Sequence, residues 1–216
     1  MKQLIAAALL LLAWNASAQS PPDRELKRQL DSVYAIDQQY RALLSAPPAQ
    51  KDSLAKAYGV SLGEIDMKLW GIQSRIDSSN LRWVDSVIAR RGYPGRSLVG
   101  EPAHEAAWYV IQHSGKIAHY LPLIRTAGKK GELPFRLVAM MEDRYLMEQG
   151  KEQVWGTQGT CRGRKGVTGT ECFIWPIKDP GGVNRRRKEA GFDLTVEENA
   201  RRLGITYRIV TLSEVQ

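Results

Sequence analysis

Apolar side chains recur at helical spacing from Asp23 to Gly150, and this period of about 3.6 residues constrains the fold more than any other feature. The clearest stripe consists of Leu62, Ile65, Leu69, Ile72 and Ile76. An apolar stripe on a helix has to be covered by another apolar surface. The pattern therefore predicts several helices that pack against one another around a shared core.

Glycine and proline divide this pattern into separate helices. We expect helices over 23–44, 49–58, 61–91, 102–113, 117–127 and 134–149. Ser61 and Glu64 have the spacing of a capping box at the start of the longest helix. The helix over 102–113 is apolar nearly all round, which predicts that it lies at the centre of the fold.

The pattern changes after Gly150. Residues 153–177 contain Gly, Thr, Val, Trp and Cys in place of helix formers, which predicts a β-hairpin at about 153–177. Two short helices over 183–190 and 195–203 and a weak strand over 206–212 are expected to follow. The sequence therefore predicts a mainly α protein with a small β element, an α+β class with a helical bundle-like core and a C-terminal β-hairpin.

The start of the chain has the features of a secretory signal peptide over residues 1–18. Lys2 precedes an apolar run over 4–14, and Ala16-Ser17-Ala18 is a cleavage site of the A-x-A type. We expect cleavage near Ala18 and a periplasmic or secreted protein. An uncleaved amphipathic helix is the alternative, but the run has no polar face. No later segment is apolar enough to predict a membrane span.

The rest of the chain is predicted to form three parts. An N-terminal helical extension covers 19–60, the main helical domain covers 61–205 and carries the hairpin, and a tail covers 206–216. The formal net charge is +8, which could attract an anionic partner. A solvated basic surface is the simpler interpretation, and export argues against nucleic acid as the partner.

Cys161 and Cys172 are the two cysteines of the chain. They flank a glycine-containing stretch typical of a hairpin tip, and an oxidising compartment permits a disulfide between them. The alternative is a metal or redox pair, but the C-x-x-C spacing and neighbouring histidines of such sites are missing. We predict a disulfide, no metal site and no cofactor.

No nucleophile elbow, zinc-helix motif or phosphate-binding loop occurs in the sequence. The informative residues are polar ones in apolar settings. Asp77 and Asn80 lie on one face of the longest helix, and His113 ends the most apolar helix one turn after Tyr109. A histidine in such a position can titrate near neutral pH and act as a general acid or base. Each residue could instead belong to a structural network.

A second set of polar residues follows. Asp143 and Arg144 are adjacent and point in different directions around their helix, so Arg144 could pair with Asp77 or bind a carboxylate or phosphate. Thr157 and Gln158 come after the helices and could present backbone N–H groups and an amide to a ligand. We predict that these groups converge between the helices and the hairpin: Asp77, Asn80, His113, Asp143, Arg144 and Gln158.

Several of these residues stand in ordered motifs, which are 91–100 (RGYPGRSLVG), 106–113 (AAWYVIQH), 142–144 (EDR), 155–158 (WGTQ) and 176–179 (PIKD). Asp37, Gln38 and Arg41 belong to the same pattern upstream. The set resembles an uncharacterised bacterial family, domain of unknown function 6624, over about 30–203. The resemblance implies a shared helical fold and a shared set of polar residues, and it implies no activity.

Three functions remain open on the sequence. The first is an exported, non-catalytic module whose polar cluster holds the fold or a small anionic or polar ligand. The second is an envelope hydrolase or transferase with His113 as general acid or base, oriented by Asp77 or Asp143, although Thr157 is a poor nucleophile. The third is a protein-interaction domain that uses the basic hairpin and residues 185–188. A catalytic or binding site requires an open cleft, whereas a structural network requires sealed and mutually satisfied groups.

Overall fold

The computed structural model describes residues 21–163 and 168–215. Within these ranges the chain forms ten α-helices and one two-stranded antiparallel sheet, which confirms the predicted mainly α class with a small β element. The predicted signal peptide and its cleavage site lie outside the described residues. Among the described helices, none has the length and apolar character that a bilayer span requires.

The predicted helices are all present, with ends that shift by a few residues. The helices are α1 Arg24–Leu44, α2 Pro48–Tyr58, α3 Ile65–Arg91, α4 Arg96–Val99, α5 Ala106–Gln112, α6 Ile117–Lys129, α7 Phe135–Glu148, α8 Val183–Glu189, α9 Val196–Arg202 and α10 Leu212–Val215. Short 3-10 helices at Ala103–Glu105 and Pro180–Gly182 lead into α5 and α8.

Helix α5 lies at the centre of the main core, as its apolar circumference predicts. Ala107 and Ile111 of this helix are fully buried, and α1, α3, α6 and α7 supply the surrounding side chains. Helix α1 packs against both α3 and α5 and contributes Leu26 and Leu30 to this core. The segment expected as an N-terminal extension thus takes part in the main core, and the boundary at residue 60 stays a prediction.

Two local predictions are wrong. Helix α3 begins at Ile65 and not at Ser61, because residues 61–64 form a separate turn in which the Glu64 N–H donates to the Ser61 carbonyl at 3.0 Å. The Glu64 carboxylate still accepts from the N–H and hydroxyl of Ser61. The segment 206–211 forms no strand. Its Val210 side chain packs with Phe173 and Trp175 of the hairpin region, so the alternation reflects side-chain packing without a backbone ladder.

The hairpin consists of β1 Gly159–Arg162 and β2 Glu171–Ile174. Cys161 lies directly opposite Cys172 in the antiparallel register, and a disulfide joins the two residues as predicted. Beneath the hairpin, a second small core connects it to α8 and α9. Its buried members are Ile174, Ile177, Val183, Val196, Ala200 and Ile205.

Reduction of the Cys161–Cys172 bond is expected to destabilise the protein. The bond closes a loop with a sequence separation of 11 residues. For a closed loop of this size, the lost chain entropy corresponds to at most about 3 kcal/mol of unfolding free energy. Thermal unfolding with and without a thiol reductant measures the effect. The Cys161→Ser/Cys172→Ser double variant is the control, and an equal response of this variant to reductant would contradict the prediction.

Candidate functional site

Helices α1, α3 and α5 bring six polar side chains together in the interior. Helix α1 supplies two of them, α3 supplies three at successive turns of one face, and the last follows the end of α5. The group is called the interior cluster below and consists of Asp37, Arg41, Gln73, Asp77, Asn80 and His113. Three of the sequence-predicted site residues, Asp77, Asn80 and His113, belong to it.

The Asp37 carboxylate lies at the centre of the cluster and is completely buried. Its Oδ2 accepts a hydrogen bond of 2.6 Å from Gln38 Nε2 and lies 3.6 Å from Arg41 Nε and 3.3 Å from His113 Nδ1. Its Oδ1 has no hydrogen-bond partner among the described residues. Because an ionised carboxylate offers about four acceptor positions, this buried oxygen has acceptor capacity that no described residue uses.

Arg41, Gln73 and Asp77 link α1 to α3. Asp77 Oδ1 accepts hydrogen bonds from Arg41 Nη2 at 2.5 Å and from Gln73 Nε2 at 2.7 Å. Gln73 Nε2 also lies 3.3 Å from the carbonyl oxygen of Asp37, to which it donates. These contacts fix the position of the two helices beside each other, yet Gln73 Oε1 has no partner among the described residues.

The interior cluster has a buried floor and a partly exposed rim. Asp37 and Gln73 are 0% exposed, whereas the side chains of His113, Arg41 and Asp77 are 18%, 20% and 25% exposed. Its buried polar atoms without a hydrogen-bond partner in the described structure are Asp37 Oδ1, Arg41 Nε, Gln73 Oε1, Asn80 Nδ2 and His113 Nδ1. Arg41 Nε and His113 Nδ1 lie 3.6 and 3.3 Å from the Asp37 carboxylate, whereas Asp37 Oδ1, Gln73 Oε1 and Asn80 Nδ2 have no such contact. Since a buried polar atom without a partner costs about 1–3 kcal/mol, these three atoms distinguish the cluster from a mutually satisfied structural network.

A cavity lies beside the interior cluster, between α1 and the start of α5. It has a volume of about 90 Å³ and is called the tyrosine cavity below. It is lined by Asp31, Tyr34, Pro102, Ala103, Glu105, Ala106 and Tyr109. Tyr34 lies three residues before Asp37 on α1, and Tyr109 lies four residues before His113. The cavity is therefore one helical turn away from the cluster on the same two helices.

Asp143, Thr157 and Gln158 form a different group at the end of α7. Asp143 Oδ1 accepts from the N–H of Val154 at 2.7 Å, and Oδ2 accepts from the N–H and hydroxyl of Thr157 at 3.0 Å each. Gln158 Nε2 donates to the Thr157 hydroxyl at 3.0 Å. Among the described residues, no hydrogen bond or ion pair joins this group to the interior cluster. The six residues that were predicted to converge therefore belong to two separate groups of contacts.

Donors from the following segment satisfy Asp143, so it does not face His113 as the expected catalytic partner. Burial raises the pKa of the Asp143 carboxyl, and the hydrogen bonds from Val154, Thr157 and Trp155 oppose this rise. Arg144 lies on the outer side of α7 with its Nε 3.9 Å from Glu148 Oε1, and it does not pair with Asp77. The carboxylate that does lie beside His113 belongs to Asp37.

Asp37, Arg41 and Gln73 are not among the site residues predicted from the sequence. Asp37 and Arg41 were visible as part of the upstream family pattern, which was the one signal that could have identified them. Gln73 had no signal, because a glutamine in an amphipathic helix is ordinarily a surface residue.

Among the described residues, no three His, Cys, Asp or Glu side chains converge as metal ligands.

The Asp143 group predicts a sharp contrast between two adjacent residues. Asp143→Ala leaves the N–H groups of Val154, Trp155 and Thr157 without their acceptor, so we expect a loss of about 3–5 kcal/mol in unfolding free energy. Arg144→Ala removes only a long, half-exposed ion pair and should change it by about 0.5 kcal/mol or less. Denaturant titration of both variants measures the difference, and equal losses would contradict this assignment.

Comparison with known proteins gives a family and no function. No curated protein and no solved structure matches the chain. A family model described as a family of unknown function (DUF6624) matches residues 35–211. The match covers most of the chain, includes all six residues of the interior cluster and confirms the family inferred from the sequence motifs. The chain belongs to this family of unknown function, DUF6624.

Proposed function

We propose that the protein is an exported module that binds a small polar molecule at the interior cluster. The observation that carries this proposal is the set of buried polar atoms without partners beneath a partly exposed rim. A binding site keeps such atoms in place because the ligand supplies the missing partners, and the folded protein tolerates the cost in its absence.

The charges of the cluster favour a polar, uncharged ligand over an anionic one. Asp37 and Asp77 carry two negative charges, and Arg41 supplies one permanent positive charge within 3.6 Å of both. An added anion would face this carboxylate pair at close range in a medium of low polarity. The buried atoms without a partner are of both kinds, with acceptors on Asp37 and Gln73 and a donor on Asn80. A molecule with hydroxyl or amide groups fits both.

Catalysis is the second candidate, and one distance favours it. His113 Nδ1 lies 3.3 Å from the buried Asp37 Oδ2, so the carboxylate could orient the ring and leave Nε2 to act as a general acid or base. Because the six residues of the interior cluster include no serine, threonine or cysteine, such an enzyme would activate a water molecule. A bound ligand that the protein converts, and that His113→Gln binds but does not convert, would establish this function in place of simple binding.

The interaction-domain hypothesis has less support. Two of the four basic side chains at 185–188 are used within the protein. Arg186 pairs with Asp179 at 2.8 Å and bonds to nearby carbonyls, and Arg187 is buried and donates to the carbonyls of Trp155 and Leu194.

The proposal of a periplasmic or secreted location draws support from the disulfide, which is typical of oxidising compartments.

Mass spectrometry of small molecules released from the purified protein tests the proposal. Asp37→Asn keeps an acceptor for the neighbouring donors and replaces the open Oδ1 by an amide that donates, so donors of the ligand lose their acceptor. We expect a compound released by the parent protein to be reduced by about tenfold or more in the variant, the loss expected from about 1.4 kcal/mol. Added back at 100 times its Kd, it should stabilise the parent by about 2.7 kcal/mol.

Asp66→Asn is the matched control, because the Asp66 carboxylate lies on the surface of α3 and pairs with Lys51 at 2.8 Å. This variant should release the same compound as the parent protein. Equal amounts from the Asp37 and Asp66 variants would contradict the proposal. The same conclusion would follow if a crystal structure at high resolution contained only water molecules on all the buried atoms without a partner, with no compound stabilising the protein.

A further inference from the structure

We infer that the tyrosine cavity binds an uncharged, hydroxylated group, so that the ligand is a polyol or a sugar-type molecule. This inference rests on the proposed function and assigns a chemical class to its ligand. It rests on the tyrosine cavity, which lies next to the interior cluster and is lined by residues outside it.

Helix α1 and the entry into α5 lie side by side. Three pairs of side chains follow one another along the two segments. Asp31 and Glu105 line the cavity together, the Tyr34 and Tyr109 ring centroids are 4.9 Å apart, and Asp37 lies beside His113. The two segments therefore run in the same direction, and the cavity and the interior cluster follow one another along them, with the tyrosine pair where they adjoin. A ligand that extends past this pair reaches the partly exposed rim of the cluster at His113.

The two acidic side chains that line the cavity are both neutralised by ion pairs. Asp31 Oδ2 pairs with Lys27 Nζ at 2.7 Å, and Glu105 Oε1 pairs with Arg136 Nη2 at 2.6 Å. These ion pairs compensate both negative charges, so the cavity has no excess charge for an ammonium group. Each carboxylate nevertheless retains acceptor positions that its cationic partner does not use. Hydroxyl groups supply the matching donors without bringing a charge into the site.

The cavity also has an apolar surface. The rings of Tyr34 and Tyr109 and the side chains of Pro102 and Ala106 provide apolar contact beside the two carboxylates. A carbon chain with hydroxyls on one side presents C–H groups to the rings and O–H groups to the acceptors. The cavity volume of about 90 Å³ is several times the space that one water molecule needs and suits a fragment of about three carbons.

Three small molecules of equal length test the assignment, namely glycerol, serinol and glycerate. They differ chiefly in charge, being neutral, cationic and anionic at neutral pH. Their binding to the parent protein can be measured from amide chemical shifts of Tyr34 and Tyr109 in NMR titrations. We expect saturable shifts with glycerol, serinol binding no tighter than glycerol, and glycerate binding about tenfold or more weakly, a difference of about 1.4 kcal/mol.

Two variants test whether glycerol binds in the tyrosine cavity. Ala106→Leu fills the cavity and should abolish the glycerol shifts, whereas Ala118→Leu on the exposed face of α6 should leave them unchanged. If Ala106→Leu fails to fold, Asp31→Asn serves instead, because Asp31 is half-exposed and its loss of one acceptor should weaken glycerol binding by about threefold. No saturable shift with glycerol, or serinol binding tenfold tighter than glycerol, would overturn the inference.

The inference and the proposed function can fail separately. If a co-purified compound depends on Asp37 but glycerol does not bind at the tyrosine cavity, the ligand class is wrong and the binding function stands. If glycerol binds at the cavity while Asp37→Asn retains its compound in full, the cavity is a polyol site and the interior cluster is structural.

Discussion

The burial of the Asp37 carboxylate between α1, α3 and α5 is the constraint on which the site depends. A charged group in the interior is costly unless partners surround it. Here the contacts of the carboxylate come from Gln38 and Arg41 on α1 and from His113 after α5. Gln73 of α3 donates to the backbone carbonyl of Asp37 and so holds α3 beside this site. The apolar packing of α5 against α1 and α3 brings these groups together, so the core determines the geometry of the site.

Two buried aspartates in this chain show how surroundings separate structural from functional roles. Asp143 receives backbone and hydroxyl donors on both oxygens and holds the segment after α7 in place. Asp37 is equally buried, but one of its oxygens has no donor among the described residues. The residue type and the burial are the same in both cases. The difference lies in the donors, and it supports a role for Asp37 toward a molecule from outside.

Local patterns in the sequence predicted the helices of seven residues or more, the hairpin and the Cys161–Cys172 bond, because periodicity and turn residues act over short distances. The four-residue helices α4 and α10 were not predicted. Spacing along α3 also placed Asp77 and Asn80 on one face. The pairing of His113 with Asp37, and the capture of Asp143 by backbone N–H groups, depend on contacts between residues far apart in the chain. Backbone donors have no sequence signature, so no motif could have separated the two groups.

The most direct test is the unfolding free energy of Asp37→Asn, measured by denaturant titration against the parent protein. The variant keeps the size and one acceptor of the side chain but removes its buried charge. If Asp37 serves a ligand, the unfolding free energy should rise or stay within about 1 kcal/mol of the parent value. A loss of about 3–5 kcal/mol, the magnitude expected when one partner of a required buried ion pair is removed, would contradict this account and make the cluster a structural element.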